Sequence, residues 1–361
     1  MLTRLFVARV PGLFIGPSGY GKTAMIEGFA RRIGVPARHF DLSATDPAII
    51  GGIPYPKTGD DEGMVFSILV PEWAKDVSGK DGLLLLDEIN VSSSRVTEGA
   101  VLELVNGSRI GNYRIEGLRV FAACNPPEWG LGRPLSKPLV RRFCIVRWDA
   151  DKIIEGWINY MEGGAGILDN IPPKEVIFKA CQRADELYPH CAAMVAQWAK
   201  GPGMVAEWEK LQANAGPGEQ FPCPANGTAC ARIAAAILAL QELGYKTDED
   251  VMRSLFVGKM GSIGAGLVEV MDGFDPLALA KLDPKDWADA WPTRPDRFLC
   301  TLRIAAQEAD PKSMDGFWMG VAGLWEAGFP KEIIIAGMKP AVEKNPRMPK
   351  DFAQKIRDLL G

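Results

Sequence analysis

The most constraining feature of this 361-residue chain is the stretch GPSGYGKT at residues 16–23. The apolar run GLFI precedes it and is typical of a buried strand, and the amphipathic stretch after it predicts a helix that ends at Gly34. A strand, a glycine-rich loop and a helix in this order point backbone amides at a phosphate group. The residues predicted to contact a nucleotide are Gly16, Pro17, Ser18, Gly19, Tyr20, Gly21, Lys22, Thr23 and Ala24.

A second motif, GLLLLDEIN, supplies an acidic pair. Its four leucines predict a buried strand, and Asp87 and Glu88 follow at the carboxyl end, where α/β folds bind ligands. In this context Lys22 would reach the β- and γ-phosphates of a nucleotide, while Thr23 and Asp87 would hold Mg²⁺. Glu88 would orient and polarise the attacking water. The two motifs together predict a Mg²⁺-dependent site that hydrolyses a nucleoside triphosphate.

The pattern of the chain changes near residue 150. Before that point, β-like runs alternate with helical patterns, which predicts an α/β fold with a five-stranded parallel sheet covered on both faces. The five runs are GLFIG, VPARHFDL, GLLLLDE, LRVFAACNP and RFCIVRW. After it the patterns are almost wholly helical. We predict a nucleotide-binding domain over 1–149, a helical lid over 150–272 and appended helices over 273–361, in which Trp287, Trp291, Trp318 and Trp325 belong to the core.

The order of these parts resembles that of the AAA+ ATPases, and within them the MoxR-like branch. The glycine loop is similar to their Walker A motif, and LLLLDEIN is similar to their Walker B motif. RVFAACNPPEWG resembles their fourth strand, which ends in the sensor 1 asparagine, here Asn125. LSKPLVRRF resembles the segment that carries the arginine finger, with Arg142 the better match and Arg141 the weaker one. The resemblance implies ATP and Mg²⁺ as ligands and Lys22, Glu88, Asn125 and Arg142 as the catalytic set.

Three further segments bear on the branch. Residues 41–74 resemble the family's helix-2 insert, and NGSRIGNYRIEGLRV resembles the hairpin before sensor 1, with its turn at Gly111 and Asn112. Tyr55 and Tyr113 either contact the pore or pack on the sheet. Where the family has Ser-Pro-Arg, its sensor 2 motif, this chain has Pro224 followed by Ala225 and Asn226. Either Arg232, about two helical turns further on, takes the nucleotide contact, or this lid senses nucleotide poorly.

The resemblance implies a ring, with a homo-hexamer expected, that hydrolyses ATP to remodel a protein client. It also implies a von Willebrand factor A-domain protein as a partner. A nucleic-acid translocase or helicase is the alternative, because such motors share the core and the insertions. It would need basic pore elements, and the insert stretch KTGDDEG is net acidic. A third reading, a nucleotide-gated scaffold without turnover, conflicts with the presence of both Glu88 and Asn125.

Composition and charge limit the partners and the cellular location that we expect. The formal net charge is −4 and no basic run stands out, which makes nucleic acid an unexpected partner. We identify no export signal and no apolar stretch of membrane-spanning length, and therefore expect a cytoplasmic protein without a membrane partner. The seven cysteines show no CxxC spacing, so we expect them to be reduced and buried.

Overall fold

The computed structural model describes residues 1–58, 64–91, 95–126, 133–162, 166–289, 294–310, 313–344, 348–350 and 352–354. The strands are β1 (Gly12–Ile15), β2 (Ala37–Asp41), β3 (Ile53–Thr58), β4 (Met64–Leu69), β5 (Leu83–Asp87), β6 (Arg109–Ile110), β7 (Tyr113–Arg114), β8 (Arg119–Cys124) and β9 (Cys144–Arg147). The helices of the α/β part are α1 (Leu2–Ala8), α2 (Lys22–Ile33), α3 (Pro47–Gly51), α4 (Glu72–Val77), α5 (Arg95–Gly107) and α6 (Lys137–Val140).

The rest of the described chain is helical. It comprises α7 (Ala150–Met161), α8 (Lys174–Trp198), α9 (Met204–Asn214), α10 (Pro224–Glu242), α11 (Glu249–Met260), α12 (Ala265–Met271), α13 (Pro295–Glu308), α14 (Met314–Glu326) and α15 (Lys331–Lys344). Short 3-10 helices lie at Ile167–Asn170, Gly261–Gly264, Leu279–Lys281 and Pro284–Asp286. The helical patterns after residue 150 therefore fold as predicted.

The five predicted strands form one parallel sheet in the order β2-β5-β8-β1-β9. Side chains alternate between its two faces, as strand geometry requires. Phe14 and Phe121 join one core cluster with α1, α2, α8 and α10, whereas Leu13 and Ala122 join a second cluster on the other face. The parallel five-stranded α/β sheet is confirmed. Edge strand β2 is the exception to two-sided burial, because four of its five residues are exposed.

The core is continuous across the predicted boundary at residue 149. Helices α8, α10 and α11 contribute to the same apolar cluster as α1 and α2, and α11 packs on β9. A further cluster lies among α13, α14 and α15, where Trp287 and Trp318 are each 3% exposed and Trp325 packs against the cluster. Trp291 lies outside the described residues. The domain limits stay predictions.

Two small antiparallel sheets complete the α/β part. Strands β3 and β4 form a hairpin whose tip, 59–63, lies outside the described residues, and β6 and β7 form the second, with Gly111 at a φ of 54° in its turn. Tyr113 packs against the sheet, and Tyr55 is half-buried opposite Ser67. The most exposed aromatic side chain of the first hairpin is Phe66, at 84%, which the sequence did not single out.

Two expectations drawn from composition concern the cysteines and the membrane-spanning segments. All seven cysteines are free and buried, as expected. By contrast, one helical stretch, Glu249–Met271, has the length and apolar composition to cross a membrane, although none was expected. It joins α11, a 3-10 turn and α12, and 56% of its most apolar window is buried inside the protein. The stretch packs as core.

Candidate functional site

The sheet order brings three strand ends together at its carboxyl edge. β8 lies between β5 and β1, so the ends of these strands are immediate neighbours, with Ile15 of β1 in register with Cys124 of β8. The glycine loop follows β1, Asp87 closes β5 and Asn125 follows β8. Three segments far apart in sequence thus supply one site.

The glycine loop has the backbone that its sequence predicts. Gly19 and Gly21 have φ values of 82° and 71°, which glycine adopts without strain, and open space surrounds the position where a Cβ would lie in each. Gly16 is needed for a different reason, since its Cβ would lie 2.4 Å from the Cβ of Trp148. The Trp148 indole supports the loop from below by donating a hydrogen bond to the carbonyl of Tyr20 at 2.9 Å.

Lys22 opens α2 and is 7% exposed. Its ammonium group donates to the carbonyls of Gly16 and Pro17, each at 2.8 Å, and to Asn125 Oδ1 at 3.0 Å. Three acceptors therefore satisfy its three protons. Burial lowers the pKa of Lys22, and the charges of Asp87 and Glu88 oppose that effect.

The pair predicted to bind the metal ion is in contact. Thr23 Oγ1 donates to Asp87 Oδ2 at 2.5 Å, and Asp87 Oδ1 accepts from the backbone N–H of Glu88 at 2.9 Å. A hydroxyl and a carboxylate side by side suit Mg²⁺, which prefers oxygen ligands and retains several waters. Within the described ranges, no group of three or more His, Cys, Asp or Glu side chains is placed to hold a metal ion.

Glu88 is half-buried and is hydrogen-bonded to Asn125. Its Oε1 accepts from Asn125 Nδ2 at 2.8 Å, which joins Glu88 through that amide to Lys22. Burial raises the pKa of Glu88, and the neighbouring Asp87 charge raises it further. The residue has a φ of 51°, a left-handed conformation that is uncommon outside glycine and concentrates at functional sites.

Two neighbours of this site had no role in the sequence prediction. Asn90 is 5% exposed and donates from Nδ2 to the carbonyl of Asn125 at 3.0 Å, which fixes the backbone of that residue. His39 of β2 lies between two carboxylates, with Nδ1 3.2 Å from Glu27 Oε1 and Nε2 3.6 Å from Asp87 Oδ2. Asn90 sits within the acidic motif and could have been noticed, whereas nothing local marks His39.

Arg142 lies away from this cluster. It precedes β9, whose first residue pairs with the first residue of β1, so it stands at the amino edge of the sheet. Four strand residues at about 3.3 Å each separate that edge from the glycine loop by roughly 13 Å. Its Nη1 donates to the carbonyl of Pro138 at 2.6 Å, and its buried Nε has no partner within the described ranges. Arg141 is exposed.

The region expected to hold the sensor 2 arginine has another role in this fold. Asn226 is fully buried in the first turn of α10, and its Nδ2 donates to the carbonyl of Phe221 at 2.8 Å. Ala225 at the adjoining position is exposed. Arg232 stacks its guanidinium on the Tyr188 ring of α8, 4.5 Å from the ring centre. The observed role of Arg232 is therefore packing between two helices.

A cavity of about 720 Å³ adjoins the glycine loop. The loop and α2 form one wall, and α7 with the 3-10 helix after it forms the other. Its apolar lining includes Met25, Ile153, Ile154, Trp157 and Leu168. The cavity is in the size range of small-molecule pockets, and its aromatic and aliphatic walls suit a flat ring.

These observations test whether a nucleotide and Mg²⁺ fit. The open space above Gly19 and Gly21, the buried ammonium of Lys22 and the Thr23–Asp87 pair form a phosphate and metal seat beside an apolar cavity. The residues therefore fit both groups. When bound, Mg²⁺ would neutralise phosphate charge at Thr23 and Asp87.

The fold and the site together define a P-loop nucleotide-binding protein. Residues 11–143 match the profile of the family described as AAA domain, dynein-related subfamily. This range of the chain is therefore an AAA domain, the P-loop ATPase domain of AAA+ proteins. The predicted AAA+ class and ATPase activity are thereby confirmed.

Other comparisons are more distant. No curated protein matches the chain. Among solved structures, a protein from Cytophaga hutchinsonii described as a candidate ATPase matches with a TM-score of 0.42 and 17% identity, over 71% of this chain and 78% of that one. A full-length MCM homolog from Methanopyrus kandleri matches with a TM-score of 0.37 and 16% identity, over 74% of this chain and 53% of that one. At these scores neither likeness bears on function.

Proposed function

We propose that the protein is a MoxR-like ATPase that works as a ring, a homo-hexamer, and couples Mg²⁺-dependent ATP hydrolysis to the remodelling of a protein client in the cytoplasm. One observation supports the assembly of several subunits into a ring. Lys22, Glu88 and Asn125 meet at the carboxyl edge of the sheet, whereas Arg142 stands at the amino edge. This separation supports a finger arginine that a neighbouring subunit supplies.

The catalytic proposal assigns a task to each side chain. Lys22 leaves the carbonyls of Gly16 and Pro17 to hold the phosphates of ATP, and the loop amides bind beside it. Asn125 keeps Glu88 in place through the 2.8 Å hydrogen bond, so that the carboxylate can orient and polarise the attacking water. The neighbour's copy of Arg142 stabilises negative charge that develops on the transferred phosphoryl group.

The cavity beside the loop supplies the remaining part of the nucleotide site. We assign the purine base to it, with Trp157 and Ile154 as its apolar walls. Trp157 is 59% exposed and Ile154 is 40% exposed, so both have surface that a base could cover. Placing the base there puts the triphosphate on the glycine loop, because Gly19, Gly21 and Ala24 line the same cavity.

The side chains exposed on the β3–β4 hairpin support the proposal that the client is a protein. Ile53 and Leu69 pair on one face of it and are each 54% exposed, and Phe66 on the opposite face is 84% exposed. Exposed apolar side chains of this kind mark interaction sites. An unfolded or partly folded protein offers apolar side chains that match this surface. We also propose an A-domain protein as a docking partner, on the resemblance to the MoxR-like branch alone.

Subunit mixing tests the assembly. Lys22→Ala subunits keep the finger but lose ATP binding, and Arg142→Ala subunits keep the phosphate site but lose the finger. Arg142→Ala alone should turn over about 10³-fold more slowly than wild type, as trans arginines elsewhere indicate. Lys22→Ala alone should be inactive, because it does not bind ATP. A mixture should recover activity at interfaces that pair an intact loop with an intact finger. Absence of recovery in co-assembled rings, or full wild-type activity in a dilute monomer, would contradict the proposal.

A second experiment tests the client. Reduced, carboxymethylated α-lactalbumin, a permanently unfolded protein, should stimulate the ATPase, and Phe66→Ala should remove most of that stimulation while basal turnover stays the same. Met319→Ala is the matched control, since Met319 is 46% exposed on α14 away from the hairpin. Strong, salt-sensitive stimulation by DNA and none by the unfolded protein would favour the nucleic-acid motor instead.

A further inference from the structure

The segment that carries Arg142 is held by side chains from the helical half of the chain. Lys259 of α11 donates from Nζ to the carbonyl of Arg141 at 2.6 Å and to that of Phe143 at 3.1 Å. Gln220, in the loop between α9 and α10, donates from Nε2 to the carbonyls of Val140 and Phe143 at 2.8 and 2.6 Å. The backbone is thus fixed on both sides of Arg142.

Burial shows that this arrangement is costly. Lys259 is 2% exposed, and its contacts in the described chain are backbone carbonyls rather than a carboxylate. Burying an ammonium group without an ionic partner opposes folding, and a long apolar side chain would fill the same space at less cost. What the buried ammonium group does in return is hold two carbonyls of one short segment.

A third residue supports this contact. Asn226 is fully buried, and its Nδ2 bonds to the carbonyl of Phe221 at 2.8 Å and lies 3.5 Å from Gln220 Oε1. It therefore orients the loop that presents Gln220. Asn226 occupies the place where a sensor 2 arginine was expected, so this position serves the finger segment of its own subunit.

We propose that Gln220 and Lys259, supported by Asn226, act as a finger clamp: they are positioning residues that set where Arg142 lies and so couple the helical half of one subunit to ATP hydrolysis in its neighbour. This inference rests on the proposed trans role of Arg142. A shift of α11 moves the carbonyls on both sides of Arg142, and a misplacement of about 1 Å in a catalytic group can cost roughly 10²-fold in rate.

The test introduces Lys259→Met into one of the two subunit types of a mixed ring, and then into the other type in a separate experiment. In the mixture of Lys22→Ala with Arg142→Ala subunits, the first type donates the finger and the second donates the phosphate site. Lys259→Met on the finger donor should lower turnover about tenfold or more, without changing the KM for ATP. The same substitution on the phosphate-site donor should leave turnover unchanged, because that subunit's finger is already absent.

Controls separate positioning from general damage. Arg253→Met on the finger donor removes a cation from the same helix, where Arg253 pairs with Glu249 at 2.8 Å, and should leave activity unchanged. Gln220→Met repeats the test should Lys259→Met fail to fold. Equal losses on both donors, or no loss on the finger donor, would overturn the clamp. An inactive parent mixture would instead overturn the trans finger itself.

Discussion

At the scale of single residues, the site depends on the two ends of one amide. Asn125 Oδ1 accepts from Lys22, and Asn125 Nδ2 donates to Glu88, an orientation that suits a cation on one side and a carboxylate on the other. Asn90 holds the backbone of the same residue. Lys22 and Glu88, to which we assign phosphate binding and water orientation, are therefore joined through one amide in the absence of ATP.

Glu88→Gln and Lys22→Ala should separate binding from turnover. The glutamine keeps a similar shape but has no carboxylate to polarise water, so ATP affinity should persist while kcat falls about 10²-fold or more. The alanine removes the cation that meets the phosphates, so ATP affinity itself should be lost. Calorimetry and steady-state ATPase assays give both quantities, and wild-type turnover in Glu88→Gln would exclude Glu88 as the catalytic carboxylate.

At the scale of elements, α11 approaches β9 closely, and this approach positions α11 beside residues 140–143, the segment that carries Arg142. A Cβ on Gly258 would lie 2.0 Å from the carbonyl oxygen of Ile145, which is backbone and cannot rotate away. Cys144 Sγ also donates to the carbonyl of Leu255 at 3.2 Å. The helix that carries Lys259 thus reaches its position only because glycine faces the strand.

Gly258→Ala should force α11 away from β9. The expected loss in the free energy of unfolding is about 1–3 kcal/mol, the range for overpacked interiors. Gly99→Ala in α5 is the matched control: it meets nothing within 4 Å, and alanine there should gain about 0.5–1 kcal/mol. Urea unfolding measures both, and equal stability of the two variants would show that the contact relaxes freely.

At the scale of the whole molecule, a buried cation connects the α/β part to the helical half. Burial lowers the pKa of Lys259 to about 8, and the Arg141 charge adds to this effect, while Cys144, Cys230 and Cys223 oppose it. Below that pH, the folded and unfolded chains both hold the proton. Between about 8 and the ordinary value of 10.5, only the unfolded chain holds it.

The part of the stability that depends on Lys259 should therefore rise with pH over this interval, because the unfolded state binds more protons there. The difference in unfolding free energy between wild type and Lys259→Met should move in favour of wild type between about pH 7 and about pH 9.5. Urea unfolding of both proteins at these two pH values measures it. A difference that stays constant would show that Lys259 titrates at its ordinary pKa.

The sequence alone determined the α/β class, the five strands of the sheet and the glycine loop with its acidic pair. These features depend on local patterns: an apolar run predicts a strand, and a glycine with positive φ is needed wherever the loop turns. The carboxyl ends of parallel strands also share one edge, so Lys22, Asp87 and Asn125 could be expected together before their contacts were known.

Tertiary structure decided the contacts between residues distant in sequence. Lys259 and the carbonyl of Arg141 are 118 positions apart, and no local pattern marks either as a partner of the other. The same holds for His39 beside Asp87 and for Trp148 beneath the glycine loop. The partners of a buried polar group belong to the elements that pack around it. Here those elements are brought together by the contacts of α11 with β9 and of α2 with the sheet, which only the tertiary structure defines.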